Sequence, residues 1–109
     1  MPKYEFTGET KEIVEEGTGR TVILHQIRRI IPGTPNELRK RGRRGGWVEK
    51  RFNLSEDGDC WIDEGSEVYG DAVVSNNAHV FNSRIYGNAQ VFGNAEVSGS
   101  VIYEYACVF

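Results

Sequence analysis

The chain has 109 residues, 39% of them hydrophobic and 27% charged, with a formal net charge of −3 at pH 7. That length allows one domain or one repeat module with a cap, and 13 glycines against 3 prolines favour tight turns over disorder. No stretch of roughly 18 apolar residues occurs, and two cysteines, Cys60 and Cys107, are too few for a disulfide scaffold and lack metal-site spacing.

In chain order, Met1-Pro2-Lys3-Tyr4-Glu5 has no apolar run of the kind a secretion signal needs, so a cytoplasmic protein with free thiols and no membrane contact is expected. Lys11–Val14 and Arg20–Ile31 read as two strands around the turn Glu15-Glu16-Gly17-Thr18-Gly19. Pro32-Gly33-Thr34-Pro35 ends the second, a basic loop follows at 39–44, and Trp47–Leu54 reads as a further strand. Residues 28–51 carry nine basic side chains against Glu37 and Glu49, whereas residues 55–109 carry nine acids against Arg84 alone. Such polarity points to charged partners or self-association.

From residue 60 a repeat takes over. Ile62, Val68, Val74, Val80, Ile85, Val91, Val97, Ile102 and Val108 are spaced 6, 6, 6, 5, 6, 6, 5 and 6 apart. Two positions before each stands a small residue: Cys60, Ser66, Ala72, Ala78, Ser83, Ala89, Ala95, Ser100 or Ala106. Gly, Asn and Asp fill the corners, the residues that tolerate left-handed backbone angles. A short strand points both residues to one face, the branched one into a core and the small one into a crowded corner. No rung can bury its aliphatic side chain alone, so rungs must stack. The two five-residue spacings fall three rungs apart, which puts both at one corner of a three-sided coil. Nine rungs then make three coils, stacked about 4.8 Å apart.

Residues 58–109 resemble the hexapeptide-repeat family, which implies a left-handed parallel β-helix. The stretches Lys3-Tyr4-Glu5-Phe6-Thr7-Gly8-Glu9-Thr10, Gly45-Gly46-Trp47-Val48-Glu49, Asn53-Leu54-Ser55 and Gly58-Asp59-Cys60-Trp61-Ile62 are similar to a group of bacterial and phage-encoded members. These pair a short β-rich N-terminal segment with the repeats and are usually labelled transferases or polymer-forming proteins. The expected fold is all-β: a three-coil left-handed parallel β-helix over 56–109, with an N-terminal β-hairpin cap over 1–55.

Residues 17 or 18 apart stack on such a prism. One side is expected to present Tyr69, Tyr86 and Tyr103 outward; a second Val73, Gln90, Cys107, Phe92 and Phe109; a third Trp61, His79, Glu96 and Phe81. Exposed aromatic sides mark an interface, although one side of three coils is smaller than the ~800 Å² per partner of a standard one. Two sides would have to join, and a homo-oligomer is expected. The candidate partner-binding residues are therefore Tyr69, Tyr86, Tyr103, Phe92, Phe109 and Phe81, with Arg39, Arg41, Arg43 and Arg44 of the basic loop.

Chemistry is harder to place. The resembled family includes zinc-dependent carbonic anhydrases, which need three histidines; only His25 and His79 exist here. It also includes acyltransferases, which need a histidine base in a cleft between subunits, and His79 projects outward from its rung. Gly42-Arg43-Arg44-Gly45-Gly46 lacks the Lys-Ser/Thr of a phosphate loop. No metal, no cofactor and no catalytic residue is expected. The reading that results is a non-catalytic, oligomeric interaction module in a bacterial host cytoplasm. On resemblance it is encoded by a phage or prophage, and it binds and inhibits a host protein, for instance a nucleic-acid-binding defence nuclease such as a CRISPR effector. The alternatives are an acyltransferase-like enzyme, a nucleic-acid binder acting through the basic loop, and a self-assembling structural protein.

Overall fold

The computed structural model describes residues 3–15, 17–30 and 43–109. Two long strands, β1 (Tyr4–Val14) and β2 (Thr21–Arg29), pair antiparallel, and β3 (Arg44–Val48) pairs antiparallel with β2. Nine short strands follow: β4 (Trp61–Ile62), β5 (Glu67–Val68), β6 (Val73–Val74), β7 (His79–Phe81), β8 (Arg84–Ile85), β9 (Gln90–Val91), β10 (Glu96–Ser98), β11 (Val101–Ile102) and β12 (Cys107–Val108). They stack as three parallel sheets: face A (β3-β5-β8-β11), face B (β6-β9-β12) and face C (β4-β7-β10). The fold is a β-solenoid preceded by an antiparallel hairpin.

Every branched residue of the repeat from Ile62 to Val97 is buried, with Ile102 and Val108 packed against the same core. Stacked partners are 18 residues apart between β4 and β7 and 17 apart from β5–β8 onward. The shortening falls between faces C and A, where Asn82 and Gly99 take left-handed φ of 47° and 61° and turn the chain quickly. Buried serines knit this corner: the Ser66 hydroxyl accepts the Ser83 amide at 3.2 Å, and the Ser83 hydroxyl accepts the Ser100 amide at 3.1 Å.

The solenoid is longer than nine rungs imply, at about four turns. Trp47–Leu54 is not a single strand. Trp47 and Val48 pair in parallel with Glu67 and Val68, a 3-10 turn spans Arg51–Asn53, and Leu54 bridges to Val74. Both pairs are 20 residues apart, so this first coil is wider and broke the six-residue register. Two residues make it possible. Gly46 lets β3 meet the next corner, since a Cβ there would lie 2.5 Å from the carbonyl oxygens of Asp63 and Ser66. Asn53, fully buried, accepts the amides of Glu49 and Lys50 and donates to the carbonyls of Gly70 and Ala72 at 3.3 and 2.7 Å.

The hairpin has two roles. Tyr4 and Ile27 join the solenoid core, and the Tyr4 hydroxyl donates to the carbonyls of Arg51 (2.5 Å) and Leu54 (3.0 Å), which closes the first coil. Further along, Val22 and Leu24 pack with Tyr69 and Tyr86, flanked by Ile13 and Trp47. This part is a strap over the outside of face A. Ion pairs hold it there: Lys11–Glu67 at 2.6 Å and Arg20–Glu49 at 2.9 Å.

Candidate functional site

Face A carries the tyrosine ladder at the expected 17-residue spacing. Tyr69 and Tyr86 stack with ring centroids 5.1 Å apart, and Tyr86 and Tyr103 at 5.6 Å. The expectation that all three reach solvent is corrected: Tyr69 is 0% and Tyr86 8% exposed, because Val22 and Leu24 of the strap cover them. Only Tyr103, 49% exposed, offers ring surface to a partner. Burial pushes the Tyr69 phenol up to about 12, and its hydroxyl has no hydrogen-bond partner.

Face B stacks Phe92 on Phe109 at 5.3 Å, with Phe109 83% exposed. Beside them Val73, Ser75, Asn76, Gln90 and Phe92 line a shallow depression open to solvent. Cys107 stands exposed on the same face, in register with Gln90.

Face C places His79 between Trp61 and Glu96 in register, and its ring lies 6.2 Å from that of Phe81, which is 36% exposed. Trp61, expected on the solvent-facing side of its rung, is buried instead, with the Arg29 guanidinium 4.5 Å from its ring centroid. His25 sits on β2, stacked on Phe6 at 4.7 Å, so the two histidines belong to different elements. Among the described residues no group of three His, Cys, Asp or Glu side chains could hold a metal ion.

Of the basic loop, Arg39 and Arg41 lie outside the described residues. Arg43 and Arg44 flank β2: the Arg29 amide donates to the Arg43 carbonyl at 2.8 Å, and Arg28 is in register with Arg44. The described side chains Arg28, Arg43 and Arg44 each have an acidic partner. Arg28 pairs with Glu5 (3.1 Å), Arg43 with Asp63 (3.3 Å) and Arg44 with Glu9 (3.8 Å). Part of the charge polarity between the halves is thus neutralised inside one molecule, as Lys50–Asp71 and Arg51–Glu56 also show.

The strap and Asn53 were not legible as site features. Alternating apolar side chains on both faces of residues 22–27 were the available signal that β2 has two apolar surfaces to cover.

Three parallel faces, small residues at the inner corners and one branched residue per rung define a hexapeptide-repeat β-solenoid. No family model matches the chain. Among curated proteins it shares distant homology with the uncharacterized acetyltransferase YdcK of Escherichia coli (strain K12), 34% identical over 83 residues. The match takes in 73% of this chain and 24% of YdcK, so the chain spans about a quarter of that relative's length.

Proposed function

We propose that this chain is an acyltransferase-like β-solenoid module whose site is completed where face C meets a second protein surface. The observation that carries the reading is the 34% identity to a protein named an acetyltransferase, over 73% of the chain. A histidine held on a rigid rung can take a proton from an attacking hydroxyl or amine, and His79 is the one histidine on a solenoid face. One open face cannot enclose a coenzyme-sized donor, which needs most of its surface buried, so a second wall is required. A neighbouring copy or a longer assembly would supply it. The test is acetyl-coenzyme A added to the purified protein. Supporting results are a raised thermal midpoint and release of free coenzyme A with an amine or hydroxyl acceptor, lost about 100-fold or more in His79→Ala. No stabilisation and no thiol release across an acceptor panel reject it.

A second reading is the non-catalytic module that binds and inhibits a host protein in the bacterial cytoplasm. What favours it is the exposed aromatic surface of Tyr103, Phe81 and Phe109, with only a shallow, open depression described beside Phe92. Substitution of Phe81, Phe92 and Phe109 together, or charge reversal of Arg43 and Arg44, would then abolish capture of a stoichiometric partner. Unchanged capture by both variants sinks that reading.

A further inference from the structure

Lys3 enters β1 beside the first corner of the solenoid. Its Nζ lies 2.8 Å from the Cys60 carbonyl oxygen, 3.2 Å from that of Gly58 and 3.1 Å from the Cys60 Sγ. Cys60 is fully buried in the core, 57 residues away in sequence. An ammonium fills those three directions with its three N–H bonds. Once it has lost one proton, the amine keeps two N–H groups, and the two carbonyls can hold both. Its lone pair is then left facing the sulfur, at a separation within the ~3–3.5 Å of a near-attack arrangement.

We propose that Lys3 and Cys60 form an oxidative cross-linking site, where a hydroperoxide converts the pair into a sulfenamide that joins the cap to the first coil. In the first step the sulfur attacks an oxygen of hydrogen peroxide and the O–O bond breaks. A sulfenic acid forms, and the leaving hydroxide takes the thiol proton and departs as water. In the second step the Lys3 lone pair attacks the same sulfur. The N–S bond forms, the S–O bond breaks, and the departing hydroxide carries off an amine proton as a second water. The sulfur loses two electrons and the peroxide gains them. The geometry favours this outcome over a plain sulfenic acid because the amine is already in place, whereas the Sγ of the exposed Cys107 lies 3.7 Å from the Tyr105 carbonyl oxygen.

The experiment treats the Cys107→Ser protein with hydrogen peroxide and reads intact mass and the peptide map. The expected result is loss of two hydrogens, about 2 Da, with the peptide of Lys3 joined to that of Cys60. A thiol reductant restores the original mass, and the cross-linked protein melts at a higher temperature. Lys3→Arg keeps the cation at the two carbonyls and removes the nucleophile, so it should gain oxygen at Cys60 instead. Three results overturn the proposal: an unmodified Cys60, oxygen added to Cys60 of the Cys107→Ser protein without a linked peptide, or the same mass loss in Lys3→Arg. A linked peptide one oxygen heavier overturns the direct N–S bond.

Discussion

At the scale of single residues, Tyr69 carries the most information. Its ring fills the space between solenoid and strap, and its buried hydroxyl is unsatisfied. A hydroxyl moved out of water without a partner costs stability, so Tyr69→Phe should be neutral or stabilising by up to ~1 kcal/mol in urea denaturation. The same burial predicts a pH effect. Tyr4 and Tyr69 are both raised to about 12, against about 10 for an unfolded tyrosine. Between those values the unfolded chain releases protons that the folded one keeps, so stability is intact below about pH 10 and falls as pH rises toward 12. Urea midpoints across that window should fall less steeply in Tyr69→Phe; an identical slope would show that Tyr69 takes no part. Gly46 is the sharpest packing constraint. Gly46→Ala places a Cβ 2.5 Å from two backbone oxygens, and a loss of at least ~2 kcal/mol is expected from thermal unfolding.

At the scale of elements, the strap is covered on one face only. Its inner residues Val22 and Leu24 are buried, while Val14 and Ile23 beside them are exposed at 65% and 42%. Hydrogen exchange should therefore open the tip, around residues 13–15 and 17–22, before the solenoid strands β4–β9, whose core residues are fully buried. Leu24→Ala removes the cover from the tyrosines and should cost ~2–4 kcal/mol, with faster exchange at the strap. The ion pair at the tip adds a smaller, pH-dependent part. Burial alone would raise the Glu49 carboxyl, but hydrogen bonds from Arg20 and the Gly70 amide bring it below its ordinary value. Its contribution is present above the unfolded carboxylate value and is lost as pH falls through the lower, folded one. Arg20→Ala, at a half-exposed site, should cost no more than ~1 kcal/mol at pH 7, and the difference from wild type should shrink toward pH 3.

At the scale of the whole molecule, the charge polarity makes the mode of any association readable from its salt dependence. The body measures 42 × 30 × 21 Å, and the basic stretch 28–51 is joined to an acidic solenoid. If copies associate through these opposite charges, the apparent mass in sedimentation should fall as salt rises, since surface attractions are screened beyond ~8–10 Å at physiological ionic strength. If association runs through the aromatics of faces B and C, it should persist or strengthen with salt. The internal pairs Arg43–Asp63, Lys50–Asp71 and Arg51–Glu56 reduce the charge available to a partner and favour the second outcome.

The repeat was legible because its signal is local. One branched and one small residue per rung, with turn residues between, dictate inward and outward directions, three sides and the 17-residue stacking of Tyr69, Tyr86, Tyr103, Phe92 and Phe109. The first coil was less legible, since Trp47–Leu54 breaks the six-residue spacing and its pairing depends on Gly46 and Asn53 meeting residues 17–20 positions ahead. The covering of face A was not legible at all. Sequence periodicity tells which side chains leave the prism, but whether water or another strand meets them is settled by long-range packing. The sequence by itself therefore determined the solenoid and the direction of each rung's side chains. Only the tertiary structure decided that the hairpin lies over Tyr69 and Tyr86, that Arg29 covers Trp61, and that Lys3 reaches Cys60. Those contacts join segments 32 to 64 residues apart, and no local spacing rule encodes them.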